Sequence, residues 1–239
     1  MSVPTVTLTG AALTGIAPEL IPPDLAKGLP HTVRLGRIRH KAHPPVLQLS
    51  KYFTAGAPPP PTNSRAKAAP SIARMYCNDQ LGCCVISGKA HSLGLWSGND
   101  ADMAGGIILA TDDEIKSQYR GICGPGDNGC NITAVLDVMR SKGFQANGKF
   151  YTIDGYCAVD NKDQLLTQTV QYLFGASTIG INLPKAWTQS DVWDVTSSQI
   201  VGGHDVTALD CDNEGVFISS WGRIYKMTWK AWQSTKYIE

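Results

Sequence analysis

A cysteine becomes a nucleophile when its thiolate is favoured and a base stands within reach, and this sequence offers one place where both conditions could meet. Gly82-Cys83-Cys84 leads into Cys84 to Trp96, a run with Val85, Ile86, Leu93 and Trp96 at helical spacing. At a helix start, unpaired backbone N–H groups and the positive end of the helix dipole favour a thiolate and can bind an oxyanion. Far downstream, Gly202-Gly203-His204 opens an extended segment, and Ser219-Ser220-Trp221-Gly222 follows about fifteen residues later. A cysteine on an early helix and a histidine on a late sheet, able to meet across a cleft, form the pattern of a cysteine hydrolase. The plainer alternative stays open at this point: a buried helix thiol, and a strand histidine satisfied by backbone.

Other groupings carry less chemistry. Gly121 to Cys130 is glycine-rich, yet it lacks the Lys-Ser/Thr of a phosphate loop, and its cysteines are seven apart rather than at zinc-ribbon spacing. It reads as a loop, with a Cys123 to Cys130 disulfide as one option. His40 and His43 have no second ligand pair at suitable spacing and read as solvated or interface residues. His91, on the helix of Cys84, reads as a packed or surface residue, and Trp187, Trp193, Trp229 and Trp232 as core and rim aromatics. No metal site and no cofactor is expected.

The elements that must position Cys84 and His204 fall into two kinds. Helices are expected at Cys84 to Trp96, at Asp112 to Tyr119 behind a Thr111 cap, at Ile132 to Ser141 before Gly143, and from Asn161 to a stop at Gly175. The period then changes. Ser177 to Leu183, Asp205 to Asp210, Val216 to Ser220 and Arg223 to Thr228 are short β-branched stretches separated by Gly, Asp and Asn turns. Helices first and sheet second imply an α+β fold.

The 239 residues are 43% hydrophobic and 17% charged with a formal charge of +1, a globular balance that conceals two unlike parts. Residues 1–75 hold twelve of the fourteen prolines, among them Pro58 to Pro61, and nine Lys and Arg against two acids, a net +7. The remainder, with twelve basic residues against eighteen acids, is −6. A stretch so rich in proline reads as an extended arm, because proline removes a backbone donor and fixes φ. Its basic patch, Arg34, Arg37, Arg39 and Lys41, admits three readings: a solvated tail, a nucleic-acid contact, or an anchor on a protein partner. The patch is short and lacks interleaved aromatics, which disfavours nucleic acid. The anchor reading is carried forward, since an extended basic segment offers backbone donors and acceptors to strand edges or acids. Folding itself is expected not to need residues 1–70. The N-terminus lacks a signal peptide's basic and apolar regions, and no run is long enough to span a membrane.

Taken together, the motifs resemble the papain-like cysteine peptidases. Asn78-Asp79-Gln80-Leu81-Gly82-Cys83-Cys84 is similar to the segment leading into their nucleophile, Gly202 to Val206 to the segment around their base, and Ser219 to Gly222 to their Asn-Ser-Trp-Gly. Asp127-Asn128-Gly129, Gly180 to Pro184 and Met227-Thr228-Trp229 extend the likeness toward short papain-like proteins of tailed bacteriophages and bacteria. It covers roughly residues 76–236. The resemblance implies a helical half and an antiparallel sheet half, with Cys84 as nucleophile, His204 as base, Asn78 as oxyanion donor and Ser219 at the base-orienting position. Gly203 and Trp221 would support them. Asn78 replaces a glutamine and Ser219 an asparagine of the peptidases, so weak or lost activity is expected. The functional expectation is a papain-like domain, residues 76–239, docked by its arm on a larger assembly such as a phage virion, as a decoration or cement protein. Capsid or tail proteins, or further copies of the chain, would be its partners, and the virion or the host cytoplasm its location. The alternative is an active peptidase or amidase cleaving peptide or peptidoglycan amide bonds.

Overall fold

The computed structural model of the protein describes residues 5–8, 31–39, 46–60, 63–100 and 106–239, so that Lys41, His40 and His43 lie outside the described residues. Strand β1 (Thr5–Leu8) pairs antiparallel with β2 (His31–Arg34), Val6 opposite Val33. Two short helices, α1 (Ser64–Lys67) and α2 (Ala69–Ile72), lead to the long α3 (Cys84–Asn99). Proline sits in the first turn of α2, where a missing N–H leaves no helical bond unmade. Helix α4 (Asp112–Cys123) starts on a capping box in which Thr111 and Glu114 satisfy each other's backbone, and α5 (Ile132–Ser141) on an Asn131 cap. A small hairpin, β3 (Phe144–Ala146) and β4 (Lys149–Tyr151), turns on Asn147 and Gly148, both at positive φ. Helix α6 (Gln164–Phe174) begins at Asp163 and stops on Gly175, which is left-handed at φ 72.

The second half is a sheet of β5 (Ser177–Pro184), β6 (Val192–Trp193), β7 (Ile200–Cys211), β8 (Gly215–Ser220) and β9 (Arg223–Thr228). Its spatial order is β5-β7-β8-β9-β6, antiparallel except for the β6–β9 pair. A last turn of helix, α7 (Trp229–Trp232), closes against it. Together these elements form the papain-like α+β fold. One core fills the helical half around Val85, Ile115, Tyr119, Val135 and Phe144, and another covers the sheet with Trp187, Trp193, Trp221 and Tyr225. No helix among the described residues is long and apolar enough to cross a membrane.

Helix α3 is buried nearly all round because it is the wall between the halves. Its contact with β7 is polar as well as close. Thr207 Oγ1 donates to the Gly88 carbonyl at 2.8 Å, and a Cβ at Gly88 would lie 2.4 Å from an Asp205 carboxylate oxygen. Beside them Lys89 Nζ lies 3.2 Å from Asp205 Oδ2, both side chains all but inaccessible, and Thr178 Oγ1 donates to Asp205 Oδ1 at 2.8 Å. Burial pushes the Asp205 carboxyl up, while Lys89 and the Thr178 hydroxyl pull it back toward the charged form.

The packed body differs from the expected 76–239. Ala68, Ala69 and Ile72 are buried with Leu95, Leu209 and Ile224, and Arg65 pairs with Asp210. Upstream, Val33 and Leu35 belong to the sheet core at 0% and 1% exposure. Val33, Leu35, Ala68 and Ala69 are therefore packed with the body, at positions where the sequence suggested an arm apart from it. A lone Val and Leu among arginines and glycines have no periodicity by which a core position is recognised.

Replacing Lys89 with Met leaves a carboxylate buried without its partner and should cost about 3 kcal/mol or more of unfolding free energy, read from denaturant midpoints. Adding Asp205→Asn should recover part of that loss, because no charge then remains stranded.

Candidate active site

Cys84 is the first residue of α3, and its neighbour Cys83 stands at the cap with no side-chain capping bond. The turn before it is fixed from outside. Asp127 accepts hydrogen bonds from the Gly82 N–H at 2.8 Å and the Tyr119 hydroxyl at 2.9 Å, and the Cys123–Cys130 disulfide closes the loop that carries it. Tyr76 and Cys77, at φ 49 and 62, both adopt the left-handed backbone that non-glycine residues avoid, and the turn they make aims Asn78 inward.

On the sheet side, His204 Nε2 is 2.6 Å from Ser220 Oγ, and its ring stacks on Trp221 at 4.2 Å between centroids. Trp221 reaches that position from a two-residue turn joining β8 to β9, in which Trp221 and Gly222 both have positive φ. Ser220 thus takes the place expected for Ser219, whose Oγ is buried without a partner among the described residues. Strand alternation is the reason. Ser219 lies opposite Thr207, which faces α3, whereas His204 is three residues from Thr207 and turns to the other face with Ser220.

Between these two walls runs the arm. Arg34 N–H donates to the Asn78 carbonyl at 2.9 Å, and Asn78 Nδ2 donates in return to the Arg34 carbonyl at 2.9 Å. Cys130 N–H donates to the Gly36 carbonyl and Ile38 N–H to the Cys130 carbonyl, each at 2.7 Å, on the helical side. Arg37 N–H donates to the Gly203 carbonyl at 3.2 Å on the sheet side. Passage through so narrow a gap needs a glycine. A Cβ on Gly36 would lie 1.6 Å from the Gly82 carbonyl oxygen, and one on Gly129 would lie 2.2 Å from that of Gly36.

Burial under this strap sets the electrostatics. It pushes the Cys84 thiol up to about 12, with Asp205 adding to the rise, while the N–H groups of Asp205 and Gly36 and the nearby Arg37 pull the other way. The same desolvation, with Arg37 adding to it, pushes His204 down to about 3. Both groups are held neutral, the opposite of a thiolate–imidazolium pair. His204 Nδ1 has no hydrogen-bond partner among the described residues, so the thiol and the imidazole are not joined in this state. They are nonetheless neighbours, because the sulfur meets the backbone N–H of Asp205, the residue after His204.

Cys84 and Asn78 on one wall and His204 and Trp221 on the other are therefore buried where the arm bridges the two halves, Gly203 is half-buried next to His204, and Ser219 lies beside them with its side chain turned away. Of the residues expected to bind a partner, Arg34 pairs with Asp127, Arg37 with Glu239, and the exposed Arg39 lies 3.3 Å from the same Glu239. Sequence reasoning missed Ser220, Asp127 and Glu239. Parity along β7 and β8 could have chosen Ser220, but nothing local to Glu239 marks it as the partner of a residue 202 positions away.

No protein-family model matches the sequence, and neither does any curated protein. Solved structures do match in fold. Xylellain, a cysteine protease from Xylella fastidiosa, is similar with a TM-score of 0.60 at 16% identity, over 86% of this chain and 93% of its own. Procathepsin B S9 from Trypanosoma congolense gives 0.54 at 13% identity, over 81% and 80%. A structure from work on the mite allergens Blo t 1 and Der p 1 gives 0.54 at 12% identity, over 74% and 68%. At these identities the likeness shows the papain-like fold.

Two alanine variants separate the paired serines by denaturant unfolding. Ser219→Ala removes an unsatisfied buried hydroxyl and should leave stability unchanged or slightly raised. Ser220→Ala strands His204 Nε2 and should cost about 1 to 2 kcal/mol.

Proposed function

We propose that the protein is a latent cysteine hydrolase of amide bonds, in peptides or peptidoglycan, held silent by its own N-terminal arm. The observation that carries this reading is the course of residues 34–38, which bond to both walls of the cleft and bring the Gly36 N–H against the Cys84 sulfur. The Asn78 amide, the donor that the family resemblance assigns to the oxyanion, is meanwhile occupied by the Arg34 and Leu81 carbonyls.

With the arm lifted, water reaches the site and the penalty on charge falls. Cys84 gives its proton to His204, whose Nε2 stays with Ser220, and the sulfur attacks the amide carbon. The Cys84 backbone N–H and the freed Asn78 Nδ2 then hold the developing oxyanion. His204 returns the proton to the departing amine, and water attacks the resulting thioester with the imidazole as base. Trp221 against the ring limits its rotation and shields the Ser220 bond.

Docking on a larger assembly, including a phage particle, is retained as a second reading. It is favoured by Leu47, Tyr52 and Phe53, apolar side chains exposed on the segment that follows the strap. The two readings are compatible, because a partner that draws on this segment would pull the strap from the cleft.

Gly36→Val tests the hydrolase reading, since a valine cannot pass the Gly82 carbonyl and the arm must leave. The full-length variant should cleave an unfolded protein such as casein at least about tenfold faster than wild type, in proportion to the open fraction. Adding Cys84→Ala should abolish the gain. A folded Gly36→Val chain with its arm displaced and no turnover would contradict the proposal.

A further inference from the structure

Arg37 is the arm residue that fits most closely between the halves. Its side chain is 3% exposed and lies along β5 and β7, where a Cβ on Gly180 would sit 2.9 Å from Arg37 Cδ and one on Gly203 3.3 Å from Nη2. Glycine at both positions leaves a floor on which a long side chain can lie flat. At the far end Nη1 meets Glu239 Oε2 at 2.5 Å, while Nη2 donates to the Ile181 carbonyl at 3.1 Å and to Asn182 Oδ1 at 3.0 Å. One carboxylate and two fixed acceptors spread around a planar fork suit a guanidinium, which presents several donors at once, better than the single ammonium of lysine.

This socket is not a remote surface clasp. The Arg37 backbone bonds Gly203, the residue before His204, and Gly36 touches the nucleophile, so the pocket opens beside the reacting atoms. Nor is its present occupant held by every donor it has, for Arg37 Nε lacks a partner among the described residues. Behind the socket, Glu239, Gly180 and Ile179 also border a cavity of about 530 Å³, so packed core does not fill the space around Glu239.

We infer that the Arg37 socket is an arginine-recognition pocket, filled here by a tethered stand-in and, once the arm lifts, by an arginine side chain of a peptide substrate. The substrate clause rests on the hydrolase reading above; the recognition itself does not. Glu239 supplies the charge, Asn182 and Ile181 the geometry, and the two glycines the room.

The test uses the full chain carrying Arg37→Ala, which empties the socket, with Nα-acetyl-arginine amide as probe. The corresponding citrulline amide, similar in shape and uncharged, is the control. The arginine amide should bind at least about tenfold more tightly than the control, with a matching rise in Tm, and Glu239→Gln in the same chain should remove the difference. Equal binding of the two amides, or a preference that survives the loss of the carboxylate, overturns the pocket. Should Arg37→Ala fail to fold, the wild-type chain answers instead. Arginine amide competing with Arg37 should then speed alkylation of Cys84 where citrulline amide does not, and the absence of that difference overturns the inference. An emptied chain that also carries Gly36→Val, so that the strap is off the nucleophile, and that binds arginine amide yet cleaves nothing counts against the hydrolase reading alone. One that cleaves matched arginine and leucine peptides at equal rates keeps the hydrolase and overturns the pocket.

Discussion

The buried pair between Lys89 and Asp205 ties the two halves of the molecule together at the point where the chemistry would occur. Lys89 follows Cys84 by five residues on one rigid helix, and Asp205 follows His204 directly on β7. A shift of either element would break an ion pair in a place water cannot reach, which is costly, so the two reactive side chains are held in register by a contact neither of them makes. The Thr207 bond to the Gly88 carbonyl and the absence of a side chain at Gly88 bring helix and strand close enough for that pair to form.

The desolvation that makes the pair stringent also governs the site. A thiol and an imidazole buried together beneath a strap are both driven to their neutral forms, and the positive charge of Arg37 weakens the histidine further as a base. The latency proposed above needs no distortion of Cys84 or His204. It follows from covering them, and from the Arg34 carbonyl taking the amide proton that would otherwise serve an oxyanion. The backbone of the arm bonds both walls, while its side chains are divided: Val33 and Leu35 join the core, and Arg34 and Arg37 meet single carboxylates at the rim and in the cleft.

Much of this was legible in the sequence because it depends on local signals. The start of α4 on Thr111, the bounds of α5 at Ile132 and Ser141, the stop of α6 at Gly175 and the span of β9 all follow from caps, glycines and periodicity. Cys84, His204, Asn78 and Trp221, all buried here, were legible as one group because each lies in a short motif with a resemblance. What escaped depends on pairing between distant segments. The bonds of residues 34–38 go to positions 78, 127, 130, 181, 182, 203 and 239, and no feature within the arm names those partners. His204 meets Ser220 rather than Ser219 for a related reason: a motif aligns residues in order, but strand parity and a two-residue turn decide which hydroxyl faces the imidazole. The basic patch was recognised as a binding element, and the surface it binds in this structure belongs to the same chain.

The central claim is that the arm, by burying Cys84 and His204, keeps both neutral. The rate of iodoacetamide alkylation of Cys84 against pH, in wild type and in a chain whose arm has been displaced, measures this directly because the thiolate is the reacting form. The account predicts that wild-type Cys84 stays almost unreactive through neutral pH and gains reactivity only toward the strongly alkaline range, in keeping with a thiol pushed up to about 12. The displaced-arm chain should react near neutrality, with a profile that His204→Gln shifts to higher pH. Superimposable profiles for the covered and uncovered chains would contradict it.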